Sequence, residues 1–219
     1  MKLLVFDIDG TLTQTNRVDD ACFIPTLTEF LGTADFDTDW RNYPHVSDSG
    51  ILDSLSRQFV GRPPSVDETA ACEAAFLQRL KAQPAAGFQM IPGAAQMIEH
   101  LQQTGQFKLA IATGCWLTSA EHKLRTAGID FSAIPMATAT DTHARVDILK
   151  AAMRKATAPT PDEIIYFGDA EWDVRANEEL GWRMIGIGDR IERLRALGTR
   201  DCFSSFQARD KLIAAIERT

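Results

Sequence analysis

The sequence predicts an α/β fold, a doubly wound parallel sheet with an all-α insertion close behind its first strand. Three observations carry that prediction. The chain opens on a short apolar run, Met1-Lys2-Leu3-Leu4-Val5-Phe6, which reads as a strand buried on both faces. From Gly87 onward short apolar runs alternate with helix-length amphipathic stretches, the pattern of right-handed β-α-β units covered on both sides. Between these, from residue 14 to about residue 88, helix signals recur without a strong strand pattern.

Asp7-Ile8-Asp9-Gly10-Thr11-Leu12-Thr13 comes directly after the first run. Residues i and i+2 of a strand project the same way. Two carboxylates so placed raise each other's pKa unless a cation neutralises them, and hard oxygen ligands suit Mg²⁺. Gly10 lets the backbone turn sharply and can bring its amide close to an anion. In the insertion, Thr26-Leu27-Thr28-Glu29, with Pro25 just ahead, and Ser65-Val66-Asp67-Glu68 both read as capping boxes that open helices. Ile51, Leu52, Leu55 and Phe59 recur at helical spacing, as do Ala75, Phe76 and Leu80, and Gly61-Arg62-Pro63-Pro64 separates the two runs.

Beyond the insertion, strands are expected at 107–113, 133–137, 163–167 and 183–187, and helices near 93–104, 116–127, 146–156 and 172–180. Open sheets of this kind bind ligands beyond the carboxyl ends of their strands, so Asp7 should face the turns at the carboxyl ends of the other strands. Thr113-Gly114 ends the second strand, and a small hydroxyl beside a Gly amide suits a phosphate oxygen. Gly168-Asp169-Ala170-Glu171-Trp172-Asp173 stands after 163–167, with two carboxylates four apart on one face of a helical turn. Helix capping is the other use open to Asp169. Arg145 stands where a helix begins and Lys150 one turn further on, positions at which a basic residue is most often a solvated surface charge. An Arg fork can hold phosphate and carboxylate together.

Composition sets the outer limits. The 219 residues fit one domain with an insert or two small ones, and 45% hydrophobic with 24% charged residues describe an ordinary globule. A net charge of −7 argues against a nucleic-acid groove or an anionic membrane surface. Cys22, Cys72, Cys115 and Cys202 form no C-x-x-C pair and fit free thiols of a reducing compartment. With no signal-peptide pattern and no apolar stretch of about 20 residues, the expected location is cytoplasmic. Gly186-Ile187-Gly188 lacks the third Gly of a dinucleotide fingerprint and reads as a strand-end turn.

Taken in order, the Asp7–Thr13 stretch, Thr113-Gly114, Arg145 and Gly168-Asp169 through Asp173 resemble the four motifs of the haloacid dehalogenase superfamily of phosphohydrolases. The resemblance implies a Rossmann-like core of residues 1–13 and 88–219 with 14–87 as a small helical cap domain. It makes Asp7 the nucleophile of an aspartyl-phosphate mechanism and Asp9 the general acid–base. It puts Mg²⁺ on Asp7, the backbone carbonyl of Asp9 and Asp169, with Asp173 supporting the waters of the site. Thr113, the Gly114 amide, Arg145 (with Lys150 as the fallback for the basic motif residue) and the turn at Gly10 would hold phosphoryl oxygens. His45-Val46-Ser47-Asp48-Ser49-Gly50-Ile51-Leu52 is similar to the substrate-facing cap loop of phosphoglycolate-phosphatase-like members, with Ser47 in place of their Thr. Ser47 and Asp48 are therefore candidate substrate contacts, with helix capping as the alternative.

Dehalogenating relatives lack the second Asp, and phosphonate-cleaving relatives use a cap Lys, whereas residues 14–80 contain none. The implied protein is a Mg²⁺-dependent phosphatase of a small phosphorylated metabolite, a monomer or weak homodimer. A phosphomutase of the β-phosphoglucomutase type is the alternative, and a non-enzymatic phosphate-binding protein the third reading. Arg17, Arg41, Arg57 and Arg62 are candidates to receive an acidic leaving group such as glycolate. Trp40, Tyr43 and His45 form either a ligand-facing cluster or helical core, and Cys115 and Trp116 either line the pocket or pack beneath it.

Overall fold

A computed structural model describes residues 1–157 and 161–218. Six strands form one sheet: β1 (Lys2–Phe6), β2 (Lys108–Ala112), β3 (Met136–Ala137), β4 (Glu163–Gly168), β5 (Arg183–Ile187) and β6 (Asp201–Phe203). All neighbours pair in parallel, in the order β3-β2-β1-β4-β5-β6. The strand order thus reverses between β1 and β4, which opens a crevice beyond their carboxyl ends. Asp7 leaves β1 at that crevice, and its N–H donates to Phe167 O of β4 at 2.9 Å.

Strand alternation divides the core in two. Leu4, Phe6, Ile111, Ile165, Phe167 and Ile185 face one layer with Met97, Ile98 and Leu101 of α4 (Ala94–Thr104). Leu124 of α5 (Leu117–Ala127) and Leu212 of α9 (Arg209–Glu217) complete that layer. Leu3, Val5, Ala110, Ile164 and Tyr166 face the other, with Ile148 and Leu149 of α6 (Arg145–Ala156) and Ala176 of α7 (Glu171–Leu180). Phe6 and Phe167 stack at 4.5 Å between centroids, fixing β1 against β4 just below the crevice. Both faces of β1 are dry, which is why its sequence is apolar without alternation.

Between Asn16 and Lys81 the described elements are helices: α1 (Asn16–Leu31), a short 3₁₀ turn at Trp40–Asn42, α2 (Asp48–Phe59) and α3 (Val66–Lys81). They share a third apolar cluster, including Phe23, Leu27, Leu52, Leu55, Phe76 and Leu80, and Trp116 from the α/β part packs into it. The Ser65 box opens α3 as expected: Ser65 Oγ accepts from Glu68 N–H at 3.2 Å, and Glu68 Oε2 accepts from Ser65 N–H at 2.7 Å.

The Thr26 box does not open a helix. α1 starts at Asn16, Pro25 lies inside it, and the hydroxyls of Thr26 and Thr28 donate back to Cys22 O and Ile24 O. Burial of Cys22, Phe23 and Leu27 on one face outweighs the hydrogen bond that Pro25 removes. Two further differences concern the sheet. The strand expected at 133–137 pairs only through Met136 and Ala137, since Pro135 has no N–H to give the ladder. Short β6, with α8 (Ile191–Ala196) and α9 beside it, extends the sheet beyond the four strands expected after the insertion.

Candidate active site

The crevice holds a cavity of about 110 Å³ lined by Asp7, Asp9, Thr113, Gly114, Arg145 and Asp169 among others. β1, β2 and β4 each end there, and the first turns of α6 and α7 meet it from the side. Of the residues singled out from the sequence, Ser47 and Asp48 also line it, while Gly10, Lys150 and Asp173 do not.

Asp7 occupies the strongly acidic end. Carboxylate oxygens of Asp7, Asp169 and Asp173 lie within 4.8 Å of one another, all three buried. Burial pushes the Asp7 carboxyl well above its usual range; Arg145 opposes that push, while Asp173, Asp169 and Asp9 add to it. Asp169 is pushed up to about 7 by burial and then by Asp173. A centre of buried oxygen donors with too little positive charge fits a hard divalent cation. The main-chain carbonyl of Asp9 accepts no hydrogen bond from the described residues and adds an oxygen of the same kind.

Asp173 is engaged otherwise. Its Oδ1 accepts from Arg145 Nε at 2.9 Å, Arg145 Nη2 at 2.7 Å and Tyr166 Oη at 3.1 Å, and its Oδ2 accepts from Ala170 N–H at 3.2 Å. The buried guanidinium then reaches toward Asp7 Oδ1 at 3.5 Å. Asp173 thus aims Arg145 at Asp7, so the cation named from the sequence is at the centre and the fallback, Lys150, is not.

Gly114 is required by close approach: a Cβ there would sit 3.0 Å from Val46 O and 3.1 Å from Arg145 Nη1. Gly10 is a correction. Its N–H donates to Thr13 O at 2.7 Å and so does not face a phosphate. Its positive φ of 78° closes a tight turn, and a Cβ would lie 2.1 Å from Asp169 Oδ2. Gly10 makes room for Asp169 rather than binding an anion.

Asp9 occupies a different setting. Its Oδ2 accepts from Lys123 Nζ at 2.9 Å and from the Cys115 thiol at 2.8 Å, and Oδ1 accepts from the Thr15 hydroxyl. Burial pushes the Asp9 carboxyl up, but Lys123 and the hydrogen bonds from Cys115 and Thr15 outweigh it and bring it below its usual value. Lys123 is fully buried and also pairs with Asp19. Burial alone would neutralise that amine, yet Asp19 and Asp9 hold it charged. Asp19 itself is pushed up to about 7, by burial against the pull of Lys123. Cys115 therefore serves the site, while Trp116 belongs to the helical core.

Lys123 belongs to none of the four motifs, so the motifs do not disclose it. A signal exists in the helix pattern: Ala120, Lys123, Leu124 and Ala127 fall on one buried face of α5, and a Lys in that register must have an anion to meet. The absence of Lys from residues 14–80 therefore does not leave the site without one. Lys123 is held behind Asp9 and does not line the cavity, which gives it no access to a substrate carbonyl.

From the helical segment, Ser47 caps α2 by accepting from Gly50 N–H at 3.2 Å and donates to His143 O at 2.6 Å, so capping and cavity lining coincide. Asp48 Oδ2 accepts from Trp116 N–H at 2.8 Å. Trp40 lines the cavity and packs edge-on to Phe23, with centroids 5.8 Å apart; Tyr43 packs on the same cluster, and neither Tyr43 nor His45 reaches the cavity. None of the candidates Arg17, Arg41, Arg57 and Arg62 lines it, although Arg41 borders an adjoining hollow that shares Trp40, Asp169, Trp172 and Arg190 with it. Arg57 pairs with Asp53, Arg62 with Glu68 and Arg41 with Asp39, all at the surface.

Known proteins carry the same architecture. A hydrolase from Pseudomonas syringae superimposes with a TM-score of 0.74 at 23% identity, covering 97% of this chain and 99% of its own. A putative β-phosphoglucomutase from Bacteroides vulgatus gives 0.70 at 18% identity, over 100% of this chain and 91% of its own. CbbY from Rhodobacter sphaeroides, in complex with phosphate, gives 0.69 at 23% identity, over 93% and 94%. No curated protein matches the sequence. A family model for haloacid dehalogenase-like hydrolases matches residues 1–181, a span that runs from β1 through α7 and takes in the whole acidic centre; the chain belongs to that family.

Proposed function

We propose that the protein is a Mg²⁺-dependent phosphatase that hydrolyses a small phosphomonoester through an aspartyl-phosphate on Asp7, with residues 14–87 acting as a cap over the crevice. One observation carries the reading: Asp7 and Asp9, two residues apart, occupy opposite electrostatic settings on one cavity. Two groups with separated tasks are what a two-step displacement uses.

Asp7 attacks phosphorus, and the ester P–O bond breaks. The leaving alkoxide takes a proton from Asp9. Lys123, Cys115 and Thr15 favour the carboxylate form of Asp9 in the resting chain; the negative charge of an arriving phosphate favours its protonation. After the alcohol leaves, Asp9 is a carboxylate again and accepts a proton from water. That water attacks phosphorus, the bond to Asp7 breaks, and free phosphate and the Asp7 carboxylate result.

Arg145, aimed by Asp173, takes a phosphoryl oxygen together with Thr113 and the Gly114 amide. Asp7, Asp169 and the Asp9 carbonyl would hold Mg²⁺, which would supply Lewis-acid charge neutralisation when bound. Asp173 acts from behind this centre through Arg145.

Phosphate release from p-nitrophenyl phosphate, with and without Mg²⁺, tests the reading against Asp7→Asn. Mg²⁺-dependent release that is lost in the variant is the expected result. Release that survives Asp7→Asn would remove the nucleophile and the mechanism with it. Native protein that releases no phosphate but interconverts sugar phosphates would instead make it a mutase.

A further inference from the structure

The geometry points to the class of alcohol that leaves: one that brings hydrogen-bond donors and no negative charge, such as a polyol or an amino alcohol, rather than a carboxylate-bearing or second-phosphate-bearing group. This inference rests on the phosphatase reading and concerns the end of the cavity away from Asp7.

The helical segment contributes no cation to that end. Its polar lining residues are Asn16, Asp19, Asp20, Ser47 and Asp48. Asn16 gives one amide N–H to Asp169 Oδ2 at 3.2 Å and Ser47 gives its hydroxyl to His143 O, which leaves one neutral Asn16 N–H and no charged donor on this side. Asp20 Oδ1 takes the Trp40 indole N–H at 2.8 Å, so Trp40 offers its ring and no donor. Asp48 is nine-tenths buried; Oδ2 is bound to Trp116 N–H and Oδ1 has no partner among the described residues. Lys123, the nearest cation, is enclosed by Asp9, Asp19 and Cys115 behind the wall.

What remains for a ligand is one amide N–H and a set of carboxylate acceptors framed by rings. Phe23, Trp40 and Trp172 line the same cavity and can cover the CH faces of a polyol or a cationic head. Burial, together with the charge of Asp19, pushes the Asp48 carboxyl up, so an incoming anion finds no countercharge there, whereas a hydroxyl can pair with the carboxyl in either protonation state and an ammonium would relieve it. Arg190 is the one cation lining the cavity apart from Arg145 among the described residues. It belongs to the Asp169 side, with Nη1 3.9 Å from Asp169 Oδ2 and half its side chain in solvent. At the outer rim, Arg41 and Arg193 are bound to Asp39 and Glu171.

The test compares phosphate release from glycerol 3-phosphate and 3-phosphoglycerate, which differ only by CH₂OH against carboxylate, with ethanolamine phosphate as the cationic arm. At least a tenfold higher kcat/KM for glycerol 3-phosphate than for 3-phosphoglycerate is expected. Asp48→Asn and, separately, Asp20→Asn should each narrow that ratio severalfold. Ethanolamine phosphate outrunning glycerol 3-phosphate assigns the acceptors to an ammonium, and the reverse assigns them to hydroxyls; both support the inference. Equal rates for the matched pair, or a preference for 3-phosphoglycerate, overturn it. If neither these esters nor p-nitrophenyl phosphate releases phosphate, the phosphatase reading is what fails. The pair is then compared by calorimetric binding to native protein with Mg²⁺, where the same order upholds the inference and the opposite order ends it.

Discussion

Asp7 and Asp9 leave the same strand, share one cavity and have the same side chain, yet their surroundings push them in opposite directions. Around Asp7 stand two more buried carboxylates and a guanidinium that Asp173 already occupies. Around Asp9 stand a buried ammonium, a thiol and a hydroxyl, all donating. The first end sets three buried carboxylates against one guanidinium; at the second, one ammonium serves Asp9 and Asp19, and a thiol and a hydroxyl also donate to Asp9. Motif spacing brings the two carboxylates together, while residues outside the motif decide what each can do.

The sharpest way to break the contrast is to remove the group that should react. Asp7→Asn should lower phosphate release by about 10³-fold or more, since the amide cannot form the acyl-phosphate. Burst and steady-state kinetics would both register the loss. Lys123→Met attacks the other end. It leaves Asp9 and Asp19 buried without their counter-ion, and breaking such a buried pair costs about 3–5 kcal/mol. A loss of that size in unfolding free energy, read as a lowered urea midpoint, is expected, and Asp19→Asn in the same chain should recover part of it by removing one stranded charge. An unchanged midpoint would show that the Asp9 end is not held by Lys123.

Much of this arrangement is legible in the amino-acid order alone. The apolar run of β1, the carboxylates at its end and the Gly-Asp pair after β4 are local patterns, and the sheet brings them to one place because β1 and β4 are neighbours at the switch point. Arg145 is legible as a helix-start cation, but its partner Asp173 is not, because that contact spans 28 positions. Asp19 escapes for the same reason, and for Lys123 the register of α5 signals burial without naming Asp9 and Asp19 as the anions it meets. The Gly10 amide departs from expectation because the turn folds back on itself to Thr13 O. That Arg17, Arg57 and Arg62 do not line the cavity is not legible either, because composition cannot tell which face of a helix meets a cavity.

A narrower cut separates charge from shape at the Asp7 end. Arg145→Lys keeps one positive charge but cannot span Asp173 and Asp7, as the guanidinium does with Nε and Nη2 on Asp173 and Nη2 3.5 Å from Asp7. A fall of roughly 10- to 100-fold in kcat/KM is expected, the scale of a displaced charge-assisted contact. Wild-type kinetics in this variant would mean that net charge alone suffices and that the aim set by Asp173 is irrelevant.

The smallest expected effect is the dependence of stability on pH and Mg²⁺, and it reads the two ends separately. Asp169 is pushed up to about 7 in the folded chain, against an ordinary carboxyl near 4. The folded state therefore holds that proton more tightly than the unfolded state, and metal-free stability should decline as pH rises from about 4 through 7. Asp19 adds in the same direction. Asp9, lowered instead, contributes stability that is lost only as pH falls below the ordinary carboxyl range. Mg²⁺ competes with protons for Asp7 and Asp169, so its stabilising increment should be larger at pH 8 than at pH 5, by about 1–2 kcal/mol at saturating ion. Urea midpoints in chelator and in Mg²⁺ at the two pH values measure it. Asp169→Asn should abolish the increment and Asp19→Asn should leave it, because only the first residue belongs to the proposed Mg²⁺-binding end. An increment that is the same at both pH values, or that survives Asp169→Asn, would place the ion elsewhere and dissolve the contrast between the two ends.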